Sequence, residues 1–162
     1  MPDRSRRMLC RFALLTITVT LCGSFLSAVG EAQQRGKSRD MSGFQVVIHT
    51  ANPVEELEAN DVAKMFQQKV RRWEHREKVV PVDLIQISEV RERFTRAIHG
   101  KSVTAIESFW QRIIFSGRGK PPEQKQTEAE VLTFVSEHPG GIGYVSDSME
   151  LVPGVKKLKI TP

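Results

Sequence analysis

Ser88 occupies the position in this sequence that best suits binding chemistry, because it stands directly before a strongly amphipathic segment. The apolar residues of that segment recur at helical spacing: Val90, Phe94, Ala97 and Ile98. A serine at a helix N-terminus can cap the helix, and free backbone N–H groups there can also bind an anion. The Glu89 carboxylate that follows would repel an anion at short range. Two interpretations therefore stay open for Ser88: capping alone, or capping combined with anion binding.

Positive charge near such a site could come from Arg91, Arg118 and Lys120. Arg91 lies within the same predicted helix, whereas Arg118 and Lys120 belong to a glycine- and proline-rich loop. Arg71 and Arg72 flank another loop. Solvated surface is the alternative interpretation for the loop cations, since exposed charge is common.

The sequence contains no pattern typical of metal binding, nucleophilic catalysis or cofactor binding. The four histidines are scattered without ligand spacing: His49, His75, His99 and His138. Ser116 lacks the glycine two residues before it that a nucleophile elbow requires. The glycine-rich segment 140–143 lies between a predicted helix and a strand, the reverse of a dinucleotide loop, so we interpret it as a tight turn. We expect no metal, no cofactor and no enzymatic activity.

Residues 1–32 have the three features of a secretory signal peptide. Basic residues at the start are followed by a largely apolar stretch over 12–29, and small residues precede a cleavage point after Ala32. We predict cleavage there and export to the periplasm. A retained membrane anchor is the alternative, but the stretch has about the minimum spanning length and contains several hydroxyl residues. No second apolar stretch of spanning length follows, so we expect no integral membrane segment after cleavage.

Composition limits the classes of site and partner. Both cysteines, Cys10 and Cys22, lie in the predicted signal peptide, so the mature chain would have neither a disulfide nor a thiolate metal site. The full chain has 24 basic and 19 acidic residues. The signal peptide holds four arginines and two acidic residues, which leaves 20 basic and 17 acidic residues after cleavage. This small positive excess does not indicate a nucleic-acid partner.

The rest of the sequence predicts one domain over residues 44–162, preceded by a polar, flexible linker at 33–43. Apolar or alternating segments predict four strands, over 44–50, 79–84, 142–145 and 155–160. Helices are predicted over 60–70, from Ser88 to Gly100, after Ser102 and after Thr127. Pro81 indicates an edge position or a bulge for the second strand. This order favours an α/β fold with helices packed on a mixed, partly parallel sheet.

Several short motifs follow one another in a characteristic order over about residues 44–146. They are Asn52-Pro53, Val62-Ala63-Lys64-Met65-Phe66 leading to Trp73, Val80-Pro81-Val82, Phe109-Trp110, Phe115-Ser116-Gly117, Pro121-Pro122 and Gly140-Gly141-Ile142-Gly143-Tyr144-Val145. Together they resemble the periplasmic substrate-binding proteins of phosphate ABC transporters, in particular their short single-lobe members. The resemblance implies a single lobe of the type II periplasmic-binding-protein-like fold.

The resemblance also implies a function and a site. The family's phosphate loop reads Ser-Gly-Thr at a helix start, six residues before a phenylalanine, and Ser88 stands six residues before Phe94. Glu89 and Val90 take the places of the glycine and the threonine. The resemblance implies non-covalent binding of a small oxyanion such as phosphate, and an ABC transporter, another envelope protein or a second copy of the chain as partner. The alternative is a protein-interaction or regulatory module that kept the lobe and lost the phosphate site.

Overall fold

Six strands and four α-helices make up the part of the chain that the computed structural model describes, residues 40–85 and 88–162. The strands are β1 (Gln45–His49), β2 (Glu56–Glu58), β3 (Val80–Leu84), β4 (Glu123–Lys125), β5 (Gly141–Val145) and β6 (Val155–Thr161). The helices are α1 (Ala59–Phe66), α2 (Glu89–Phe94), α3 (Val103–Phe115) and α4 (Glu128–Glu137), and a π-helical segment, Thr95–His99, continues α2. No helix within the described ranges has the length and apolarity needed to cross a bilayer. The predicted signal peptide over 1–32 and most of the predicted linker lie outside the described residues.

The strands form one mixed sheet in the order β2-β6-β1-β5-β3-β4. β1 runs antiparallel to β5 and β6, whereas β3 runs parallel to β4 and β5, and β2 runs parallel to β6. The register sets Val46 opposite both Tyr144 and Leu158, and all three side chains are buried. The predicted α/β class with a mixed, partly parallel sheet is therefore confirmed.

Helices cover both faces of the sheet. Gly143 and Tyr144 are neighbours in β5, so they face opposite sides. A Cβ on Gly143 would lie 2.7 Å from a methyl group of Val131, which places α4 against that side. On the other side the ring of Tyr144 stacks on Phe94 with centroids 3.8 Å apart and lies 6.0 Å from Phe66, which brings α1 and α2 against the sheet. The core therefore has two apolar layers separated by the sheet.

Three helices begin where the sequence predicts, since a hydroxyl oxygen caps each of them. Ser88, Ser102 and Thr127 each accept a hydrogen bond from the backbone N–H three residues later, and Thr127 does so within a complete capping box. The start of α1 is different, because Glu58 stands at the cap position without a side-chain cap bond. α1 also ends at Phe66 rather than near residue 70, because Gln68 adopts a left-handed conformation with φ of 53°.

The structure corrects the sequence prediction at two strands and one proline. β2 and β4 have only three residues each, mostly charged or amide side chains, so neither produces an apolar pattern. The presence of β4 moves β3 from the predicted edge to an inner position. Pro81 is accommodated because it pairs only with Ile142 of β5, while β4 pairs from Val82 onward. The missing N–H of the proline therefore costs no ladder bond to β4.

α3 is covered along only part of its length. Val103, Ile106 and Trp110 are buried, as their helical spacing predicts. At the end of the helix, Ile114 is 50% exposed and Phe115 is 90% exposed. The C-terminal end of α3 therefore presents large apolar side chains that the other described residues do not cover.

Candidate functional site

Ser88 lies at the edge of an open corner with a volume of about 500 Å³. The Ser88 Oγ accepts a hydrogen bond from the backbone N–H of Arg91 at 3.2 Å, so the capping interpretation holds. The predicted neighbours Glu89 and Val90 line the same corner, and the other described residues around it are Ser42, Gly43, Arg93, Glu128, Ser146 and Asp147. The structure therefore brings Ser88, Glu89 and Val90 together, while Arg91, Arg118 and Lys120 are not among the described lining residues.

Three carboxylates surround this Ser88 corner against one guanidinium group. Glu89 accepts a hydrogen bond from Arg93 Nη2 at 2.5 Å. Glu128 accepts from the backbone N–H of Ser146, and Asp147 accepts from that of Gly43 at 3.2 Å. The backbone N–H groups of Ser146 and Gly43 at this corner are thus already bonded to carboxylates of the chain itself. An added anion would meet net negative charge at short range.

The Arg91 side chain is buried and bonded to other residues of the protein, so it does not face an open site. Its residue surface is 2% exposed, and its Nη1 donates to the Ile85 carbonyl oxygen at 3.0 Å and to Glu107 Oε1 at 3.2 Å. Its Nη2 lies 3.4 Å from Asp83 Oδ2. The positive charge that the sequence offered for an anion is therefore balanced by the largely buried Asp83 and by the half-exposed Glu107.

Asp83 and Tyr144 complete this network, and neither is among the site residues that the sequence predicts. The Tyr144 hydroxyl donates to Asp83 Oδ1, and the same hydroxyl lies 3.4 Å from the backbone N–H of Leu84. Burial raises the pKa of Asp83, although the hydrogen bond from Tyr144 and the charge of Arg91 oppose this. Burial and the Asp83 charge raise the pKa of Tyr144 well above its ordinary value. An aspartate inside the otherwise apolar segment Val79–Leu84 was the sequence signal that could have indicated a buried partner.

The remaining two predicted cations lie in the loop after α3. Arg118 and Lys120 are both exposed, and the Lys120 carbonyl oxygen accepts a hydrogen bond from Gln68 Nε2 at 2.9 Å. Lys120 lines a different cavity, together with Arg71. The two loops that the sequence marked as basic therefore meet there and not at Ser88.

Within residues 40–85 and 88–162, no group of three histidine, cysteine, aspartate or glutamate side chains is arranged to hold a metal ion. His99 lies among aromatic rings instead, with centroids 6.3 Å from Phe66 and 5.8 Å from Phe94. Burial among these rings, with repulsion from Lys101, lowers the pKa of His99 to about 4.

His99 should make the stability of the protein depend on pH. Because its pKa in the folded chain lies below the ordinary value of 6.5, the unfolded chain takes up the proton first. The free energy of unfolding must therefore decrease as the pH falls from about 6.5 towards about 4. We expect a loss of about 1–2 kcal/mol between about pH 7 and pH 5, measured by urea denaturation. The variant His99→Gln should lose most of this dependence, and an unchanged pH dependence in that variant would contradict the assignment.

Comparisons with known proteins agree with the architecture. No protein-family model matches the chain, and no curated protein matches it. Among solved structures, an ABC-type phosphate transport receptor from Vibrio cholerae is similar with a TM-score of 0.54 and 17% identity. A phosphate ABC transporter substrate-binding protein from Clostridium perfringens, solved with bound phosphate, is similar with a TM-score of 0.55 and 17% identity.

These similarities cover 73% of this chain but only 46% and 44% of the two receptors. A phosphate binding protein from Planctomyces limnophilus is similar with a TM-score of 0.53 and 19% identity. That similarity covers 74% of this chain and 41% of the Planctomyces protein. The chain therefore spans less than half the length of these proteins. Its fold is that of a single lobe of the type II periplasmic-binding-protein-like class, as the sequence motifs predict.

Proposed function

We propose that this chain, which has the fold of one lobe of the phosphate receptors, is an exported, non-enzymatic binding module that acts by contact with another protein. The observation that carries the proposal is that the carboxylates lining the Ser88 corner are bonded to hydrogen-bond donors of the chain itself. Glu128 and Asp147 occupy backbone N–H groups there, and Arg93 is paired with Glu89. The chain has the architecture of the lobe, but carboxylates surround Ser88. This combination fits best a protein-interaction module that kept the lobe and lost the phosphate site.

The end of α3 supports a protein contact. Phe115 is 90% exposed and Ile114 next to it is 50% exposed. Adjacent large apolar side chains that remain open to solvent are typical of a surface that a partner covers. The partner in this proposal is an envelope protein or a second copy of the chain.

Small-anion binding at Ser88 is the second candidate function. The observation in its favour is that the Ser88 hydroxyl stands at a helix start beside an open corner. One structural neighbour of this fold was solved with bound phosphate. Without a covering second lobe, an anion at this corner would stay hydrated and weakly held.

Thermal unfolding with phosphate separates the two candidates. A ligand that binds the folded state raises the midpoint by mass action. We expect about 10 mM phosphate to shift the midpoint no more than sodium chloride of equal ionic strength does. The double variant Glu128→Gln/Asp147→Asn should gain a phosphate-specific shift, because it removes two of the repelling charges. A phosphate-specific rise in the unchanged protein that Ser88→Ala abolishes would instead support the second candidate.

Site-specific photo-crosslinking in cells tests the protein contact. A photoreactive phenylalanine analogue at position 115 should give a discrete crosslinked product in the envelope fraction. The same analogue at Glu137, an exposed residue of α4, serves as the matched control. A product of twice the mass of the chain would identify a second copy as the partner. Equal, diffuse crosslinking at both positions, or none at position 115, would contradict the proposal.

A further inference from the structure

A second cavity, of about 470 Å³, shares no described lining residue with the Ser88 corner. Its walls come from four segments that are distant in sequence: the turn after α1, the start of β3, the loop before β4 and the end of α4. Gln68 Nε2 bonds to the Lys120 carbonyl oxygen at 2.9 Å and so ties two of these segments together. The volume falls within the range of sites for small organic ligands.

The rim of this cavity is positively charged. Arg71, Lys78 and Lys120 line it, and Glu123 is the acidic residue among its described lining. Glu123 has a cation of its own, because Lys125 Nζ lies 3.4 Å from its carboxylate. Arg71 donates only to a neutral partner, the Gln68 carbonyl oxygen at 3.1 Å. Within the described residues, the three cations form no ion pair, so their charge remains available to a ligand.

The wall of the same cavity is apolar and partly aromatic. The rings of Phe134 and His138 stack with centroids 4.1 Å apart. His138 Nδ1 donates to the Phe134 carbonyl oxygen at 2.7 Å, since a carbonyl can only accept, and this fixes the imidazole beside the ring. The other apolar lining includes Met65, Val79, Pro81 and Pro122. His138 and the Lys125 ammonium, 5.1 Å from the ring centroid, already contact the faces of Phe134. An apolar group could therefore be buried against the aliphatic side chains and the ring edges of this wall while an acidic group meets the cations at the rim.

We propose that this cavity binds a small amphiphilic anion, in which one carboxylate, sulfonate or phosphate group is attached to a flat apolar body. Simple inorganic oxyanions would use the rim alone and leave the apolar wall hydrated. Neutral aromatic molecules would use the wall and leave three cations unpaired. The combination of the two surfaces in one cavity selects for a ligand that carries both features.

Two fluorescent probes that differ in their charged group test this proposal. 8-Anilinonaphthalene-1-sulfonate carries the sulfonate, and N-phenyl-1-naphthylamine has a similar apolar body without it. We expect the anionic probe to bind the chain about tenfold more tightly than the neutral probe, with a difference that shrinks as salt is added. Equal affinity for the two probes would overturn the proposal.

Variants locate the bound probe. Lys120→Gln should weaken binding of the anionic probe about fivefold, because one cation near the ligand contributes about 1 kcal/mol. Arg118→Gln makes the same change of charge two residues away in the same loop, outside the described lining of the cavity, and should leave the affinity unchanged. Phe115→Ser removes the exposed ring at the end of α3 and should also have no effect. Equal losses in Lys120→Gln and Arg118→Gln, or loss of binding in Phe115→Ser, would place the probe elsewhere and overturn the assignment.

Discussion

Replacing Arg91 by methionine should lower the free energy of unfolding by about 3–4 kcal/mol. The guanidinium group is almost fully buried and contacts Asp83, Glu107 and the Ile85 carbonyl oxygen. Its removal leaves the Asp83 carboxylate in the interior without an opposite charge, which is costlier than losing an exposed pair. Methionine is a flexible apolar replacement that limits the cavity left behind, so most of the loss should come from charge and hydrogen bonding. Urea denaturation at neutral pH measures the difference.

Two further variants identify the cause of that loss. Arg93→Met removes the same type of group from an exposed pair with Glu89 and should cost less than about 1 kcal/mol. In the double variant Asp83→Asn/Arg91→Met, the buried charge is gone while the amide oxygen can still accept from Tyr144. We expect it to recover at least half of the stability lost in Arg91→Met. A double variant as unstable as the single variant would show that packing, not charge, explains the effect.

The sequence correctly predicted the helical position of Arg91 but not the residues that it contacts, and this network explains why. The sequence placed Arg91 on a helix beside Ser88, and the structure has it in α2, one turn after the cap. Its partners belong to β3 and α3, and their approach depends on how three elements pack. Sequence spacing shows which residues share a helix face, but not which carboxylates from other elements will meet them.

Elements set by local chemistry were predictable, and elements set by tertiary pairing were not. Ser88, Ser102 and Thr127 cap helices because the required hydroxyl stands next to an apolar periodic segment. β2 and β4 exist because β6 and β3 offer them backbone partners, and their own side chains carry no strand signal. The exposed end of α3 was unpredictable for the same reason, since apolar spacing indicates a face but not what covers it.

The candidate sites follow the same division. Ser88, Glu89 and Val90 adjoin one another in sequence, so the structure brings them to one corner as expected. Glu128 and Asp147 reach that corner only through the folding of distant segments, and they change its charge. The charge of a site therefore depended on residues that no motif contained.

The glycine-rich segment 140–143, which forms the start of β5 and the residue before it, also owes its composition to packing. Gly140 does not have a left-handed φ, so its need for glycine is one of space. A Cβ at this position would lie 1.9 Å from the Lys78 carbonyl oxygen, which belongs to the backbone and cannot rotate away. The Gly140 carbonyl oxygen accepts hydrogen bonds from the Val80 backbone N–H at 2.9 Å and from Trp73 Nε1 at 3.1 Å. Moving the two backbones apart would therefore also weaken the bonds that join β3 and Trp73 to this turn.

We accordingly expect Gly140→Ala to destabilise the protein by about 3 kcal/mol, as severe overpacking does. Gly143→Ala should cost less, because its Cβ would press at 2.7–2.8 Å on the side-chain methyl groups of Val131 and Val82, which can shift. Gly119→Ala is the matched control, since its Cβ would meet only Ile113 at an ordinary distance of 3.5 Å. Urea denaturation of the three variants should rank them in that order. If Gly140→Ala were as stable as Gly119→Ala, the close approach of residues 78 and 140 would not be a constraint on this fold.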